Sequence, residues 1–88
     1  MSYVYLLKSL KDNNYYIGST KDVKKRFYQH QKGLVKATCY RRPLKLLGYQ
    51  KCQTILEASS LEKKYKKSHD ALQRAIKKMK FKIINIGE

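Results

Sequence analysis

Two short β-rich runs separated by a polar turn, at the start of the chain, restrict its fold more than any other feature. Tyr3-Val4-Tyr5-Leu6-Leu7, within residues 2–9, has the β-branched, aromatic and aliphatic make-up of a strand. It ends in Lys11-Asp12-Asn13-Asn14, a turn composition, after which Tyr15-Tyr16-Ile17 forms a second short run closed by Gly18. The start of the chain therefore predicts an antiparallel hairpin. Its register is open at this level, so whether Tyr5 and Tyr16 face the same side is not fixed by the pattern. Gly18 is expected to serve the backbone, as a tight exit from the strand.

Ser19 or Thr20 is a suitable N-cap, Asp22 follows in the first turn, and Gly33 is a natural stop, which predicts a helix over 21–32. At about 100° per residue, Val23, Arg26, Phe27 and His30 share one face, so Arg26 and His30 point toward the apolar side. Residues 34–42 have no period, end at Pro43 and carry Lys36, Arg41 and Arg42, which reads as a basic loop. Leu44 to Cys52 is consistent with a third strand, with Leu44 and Leu46 on one side and Lys45 on the other. Thr54 can cap a second helix, along which Ala58, Leu61, Tyr65, Leu72, Ala75, Ile76 and Met79 keep a rough 3–4 spacing. Ser68-His69-Asp70 divides it, with Asp70 as a new N-cap. Residues 81–86 alternate weakly (Phe81, Ile83, then Ile84 and Ile86 out of step) and read as a terminal extended segment or helix end. The expectation is an α/β fold, a small three-stranded antiparallel sheet flanked by helices, in a single domain over residues 1–88.

Composition then narrows the function. The 88 residues carry 21 Lys and Arg against 6 Asp and Glu, a net charge of +15. Such a chain seeks polyanions, and nucleic acid comes first because neutralising phosphates releases condensed counterions. An anionic membrane surface comes second, and the spread of basic residues from Lys21 to Lys82 suits an extended groove better than a membrane-proximal cluster. Cys39 and Cys52 have neither a C-x-x-C partner nor a histidine cluster, which argues against zinc and redox motifs and for a reduced setting. The opening Met1 to Leu7 has no basic lead and is too short for a signal peptide or membrane span, so a cytoplasmic location is expected.

Taken in order, Val4-Tyr5 on a first strand, Tyr16-Ile17-Gly18 on a second, Arg26 and His30 on the next helix and Glu62 on a later one resemble the GIY-YIG nuclease family. The resemblance runs over nearly the whole chain and is strongest to small stand-alone members, through Tyr16-Ile17-Gly18-Ser19-Thr20 and Glu57-Ala58-Ser59-Ser60-Leu61-Glu62-Lys63-Lys64-Tyr65-Lys66. Where the family's first motif has Gly, this chain has Tyr3. The resemblance implies a metal-dependent endonuclease that nicks DNA, ahead of RNA, with one active site per chain. Its catalytic residues are Tyr5, Tyr16, Arg26, His30 and Glu62, and Glu62 holds Mg²⁺ or Mn²⁺. Asn85 is a candidate for the asparagine that supports the site in larger members.

The residue chemistry agrees with those roles while leaving rivals standing. A carboxylate can hold one hard cation that keeps several waters and polarises a phosphoryl group. Asp12, Asp22, Asp70 and Glu88 are explained as turn, caps and terminus, which leaves Glu57 as the rival of Glu62. On a helix alone, Glu62 would form an i,i+4 ion pair with Lys66. Arg26 offers a planar, always-charged fork for phosphate oxygens. His30 suits a proton relay or a structural role. Tyr5 or Tyr16 is the general base, the other orienting water or phosphate, and either phenol needs nearby positive charge to ionise near neutral pH. Lys36, Arg41, Arg42, Lys63 and Lys66 are candidate nucleic-acid contacts. No appended recognition domain is visible, so specificity would come from substrate shape or a protein partner. The competing class is a non-catalytic DNA- or RNA-binding module on the same fold.

Overall fold

A computed structural model describes residues 1–77 and the backbone of 82–83. In chain order the elements are β1 (Ser2–Ser9), β2 (Tyr15–Thr20), α1 (Val23–Gln31), β3 (Leu44–Cys52), α2 (Ile55–Lys67), α3 (His69–Lys77) and β4 (Lys82–Ile83). The expected three-stranded antiparallel sheet with flanking helices is present, in the order β2-β1-β3. Beyond it, the two residues of β4 pair antiparallel with Gly48 and Tyr49 of β3. The extended reading of the chain's end therefore holds at Lys82–Ile83. Met79, Phe81, Ile84, Asn85 and Ile86 lie outside the described residues.

β1 sits between β2 and β3 and is covered on both faces, which is why its apolar run does not alternate with polar residues. Val4 and Leu6 pack on one face with Ile17, Cys52, Ala58, Tyr65, Leu72 and Ala75, beneath α2 and α3. Tyr5 and Leu7 pack on the other with Phe27, Leu44 and Leu46, beneath α1. The register pairs Tyr5 with Gly18, Leu6 with Ile17 and Leu7 with Tyr16, so Tyr5 and Tyr16 share the α1 face. In β3 an irregularity opposite Leu6 and Leu7 leaves Leu47 without a cross-strand partner. This bulge keeps Leu44 and Leu46 on the α1 face while Leu47 packs on the other.

Three local expectations are corrected. Asp22, rather than Ser19 or Thr20, caps α1, its side chain accepting from the Lys25 N–H. Ser19 and Thr20 instead extend β2, paired with Val4 and Tyr3. The hydroxyl of Ser68 accepts from the Ala71 N–H at 3.2 Å, so Ser68 opens α3 and Asp70 lies in its first turn. Gly18 has no positive φ; among the described glycines that conformation belongs to Gly33, at φ 77°, just past the end of α1. A Cβ at Gly18 would collide with the Tyr5 ring and hydroxyl, so this glycine makes room for Tyr5. Thr54 caps α2 as expected, accepting from the Glu57 N–H.

Candidate active site

The face between β1, β2 and α1 gathers most of the predicted residues. Tyr5 and His30 are 1% and 0% exposed, and the Tyr5 hydroxyl lies 2.8 Å from His30 Nε2. Half-buried Tyr16 completes an aromatic cluster, its ring centroid 5.2 Å from that of His30 and 6.4 Å from that of Tyr5. Arg26, one helical turn before His30, donates to Gln29 Oε1 at 3.1 Å, and its positive charge acts on the Tyr5 phenol. The helix places Arg26 and His30 together because they are four residues apart, and the β1–β2 register places both tyrosines beneath them.

Proton positions follow from the donor inventory. Burial pushes the Tyr5 phenol up to about 12, against the lowering influence of the Arg26 guanidinium. Burial, joined by the charge of Arg26, pushes His30 down to about 4, so at neutral pH the phenol keeps its proton and the imidazole is neutral. At 2.8 Å the protonated phenol is placed to give its proton to His30 Nε2 in the ring's Nδ1–H form. The remaining ring proton is then on Nδ1, 2.7 Å from Oγ1 of the fully buried Thr38. Thr38 comes from the loop after α1, and no pattern in the sequence singled it out.

Glu62 approaches from the other side of the β2 edge. Its Oε1 accepts from the Ser19 hydroxyl at 2.7 Å and its Oε2 from Lys66 Nζ at 2.8 Å. Burial raises its pKa, but the bonds from Lys66 and Ser19 and the charges of Lys66 and Lys63 outweigh it and hold the carboxyl below its ordinary value. Lys66 also lies over the Tyr16 ring, 5.5 Å from its centroid, and so links the carboxylate to the aromatic cluster. Glu62 makes no direct hydrogen bond to Tyr5, Tyr16, Arg26 or His30. In the sequence Ser19 carries only a cap and motif reading; its bond to Glu62 depends on pairing opposite Val4, which turns it toward α2. Glu57 is exposed in the first turn of α2, away from the cluster.

Among the described residues no group of three or more His, Cys, Asp or Glu could hold a metal ion. A single ionised carboxylate still fits a hard cation that keeps most of its waters, and Glu62 already holds one cationic group, the Lys66 ammonium. Of the basic candidates, Lys36 and Lys63 are exposed. Arg41 bonds Asp12 at 2.9 Å and reaches the carbonyls of Asn14 and Tyr15. Arg42 donates to the carbonyls of Cys39 and Gln31 and lies across Gly33. These two arginines thus hold the loop against the hairpin and the end of α1. Among the described residues no helix is long and apolar enough to cross a membrane.

Comparison with known proteins identifies the family of the chain. The model of the GIY-YIG catalytic domain matches residues 1–80. UPF0213 proteins of Listeria welshimeri, Listeria innocua and Listeria monocytogenes are each 41% identical over 66 residues, covering 74% of this chain and 72% of each relative. No solved structure matches significantly. With a family model spanning nearly all of its length, and the motif residues of both strands and both helices meeting at one sheet edge, the chain belongs to the GIY-YIG family.

Proposed function

We propose that residues 1–88 form one metal-dependent endonuclease domain that hydrolyses nucleic-acid phosphodiesters, nicking DNA with one active site per chain. GIY-YIG domains are generally endonucleases and typically use divalent metals. The observation that carries the reading is the ionised Glu62 beside a cluster of two tyrosines, a guanidinium and a neutral imidazole at one sheet edge.

Glu62 would hold Mg²⁺ or Mn²⁺, which supplies charge neutralisation on a non-bridging phosphate oxygen and a more acidic bound water. Arg26 binds a second phosphate oxygen through its fork. The Tyr5 oxygen takes the proton of the attacking water while its own proton passes to His30 Nε2. An incoming phosphate anion raises the basicity of His30, which favours that transfer. Tyr16, nearer solvent, orients the water, and Thr38 holds the His30 ring in place through Nδ1. The water oxygen bonds phosphorus, the ester bond to the leaving oxygen breaks, and solvent protonates that oxygen. Lys36, Arg41, Arg42, Lys63 and Lys66 contribute to backbone contacts, with DNA ahead of RNA. Specificity comes from substrate shape or a protein partner. The unpaired Cys39 and Cys52 support a cytoplasmic setting.

One observation favours the non-catalytic binding module instead: both Glu62 oxygens have protein partners, one of them the Lys66 ammonium. Incubation with single-stranded, duplex and branched DNA and with RNA, in Mg²⁺, Mn²⁺ or EDTA, separates the two. Metal-dependent cleavage abolished by EDTA is expected; tight binding with no cleavage in either metal selects the binding module.

A further inference from the structure

Between the β2 edge and the corner of α2 and α3 lies a concavity of about 300 Å³, bordered by Asn14, Tyr15, Tyr16, Lys66, His69 and Leu72. Tyr15 and Tyr16 are half-buried and His69 is exposed, so ring surface meets solvent along the groove. The Lys66 ammonium stands at its rim, shared between Glu62 and the Tyr16 ring. The Asn14 backbone is engaged, its N–H with Asp12 and its carbonyl with Ser9 and Arg41, while its side-chain amide has no partner among the described residues. Flat ring surface, one amide able to donate and accept, and one cation at the rim suit a planar heterocycle attached to a phosphate. They suit a purely apolar or purely ionic ligand less well.

We infer that this groove takes one unpaired nucleobase of a nucleic-acid strand whose neighbouring phosphate lies at Lys66 and Glu62. A base within a continuous duplex is covered on both faces by its neighbours and along its edge by its partner, so it cannot enter without being extruded. The groove therefore selects strands with an unpaired nucleotide beside the bound phosphate. Only the base's position relative to a cut rests on Glu62 marking the phosphodiester site; the stacking itself does not.

The test uses the full chain in EDTA, with a short single strand carrying 2-aminopurine and the same strand annealed into a duplex. Binding of the single strand is expected to change the 2-aminopurine fluorescence through stacking. Tyr15→Leu, which keeps apolar bulk against the core, should weaken single-strand binding by about tenfold and leave duplex binding unchanged. Exposed His69→Ala should act in the same direction, which keeps the test open should Tyr15→Leu fail to fold. Lys64→Gln, on α2 outside this groove, should lower both affinities alike. Equal losses for single strand and duplex in both ring variants, or no fluorescence response to binding, would overturn the inference. Ring-dependent stacking by a protein that cuts nothing in Mg²⁺ or Mn²⁺ defeats the nuclease reading and leaves the groove standing. Metal-dependent cutting without ring-dependent stacking does the reverse.

Discussion

His30 is completely buried, with Tyr5 at one ring nitrogen and Thr38 at the other. Its protonation would place an unmatched charge in the core beside Arg26, which is the physical source of its lowered pKa. A lowered folded pKa means that the unfolded chain takes up the proton first as pH falls. The stability contribution is complete above about 6.5 and is lost as pH falls toward about 4, on the order of 3 kcal/mol in all. The Glu62 carboxyl, also lowered, adds its loss only at the acid end of that window. Urea unfolding across this range should therefore show the wild type losing more stability than His30→Gln, whose amide does not titrate. Parallel curves for the two proteins would contradict the buried, neutral imidazole.

At the scale of elements, the site depends on the register that sets Gly18 opposite Tyr5. The Tyr5 ring fills the space a side chain at position 18 would need, and it is held there by His30, so it cannot swing away cheaply. Gly18→Ala should cost about 1–3 kcal/mol by overpacking and displace Tyr5. A lowered urea midpoint with an unchanged slope would agree; an unchanged midpoint would not. The hairpin, α1, β3 and the Thr54 cap were legible in the sequence because short-range turn, cap and periodicity signals coincide there. The start of α1 was misjudged because pairing of Ser19 and Thr20 with β1 overrides their capping preference. Thr38, the bond from Ser19 to Glu62 and the spatial role of Gly18 were not legible, since each depends on a partner set by tertiary packing. Pairing of Lys82–Ile83 with β3 is likewise long-range. Tyr3 packs edge-on against Tyr49 across β1 and β3, with ring centroids 5.4 Å apart, so the departure from the family's first motif is accommodated on the sheet.

Over the whole molecule, a net charge of +15 predicts nucleic-acid affinity that falls steeply with salt, with a log–log slope of about −0.9 per duplex phosphate contacted. A titration showing no salt dependence would remove the electrostatic basis of the account. Exposed Lys36 and Lys63 are freer to contribute than Arg41 and Arg42, which already hold the loop in place. Within so basic a surface Glu62 is the carboxylate on which hydrolysis is proposed to turn. Glu62→Gln keeps the side chain's shape and its bond from Ser19 while removing the charge, and a molecule one charge more positive cannot bind phosphate less well for electrostatic reasons. The decisive measurement is cleavage by Glu62→Gln beside Glu57→Gln and the wild type, in saturating Mg²⁺ or Mn²⁺, with binding measured on the same samples. The account predicts no cleavage and undiminished binding for Glu62→Gln, and wild-type cleavage for Glu57→Gln; wild-type cleavage by Glu62→Gln would contradict it.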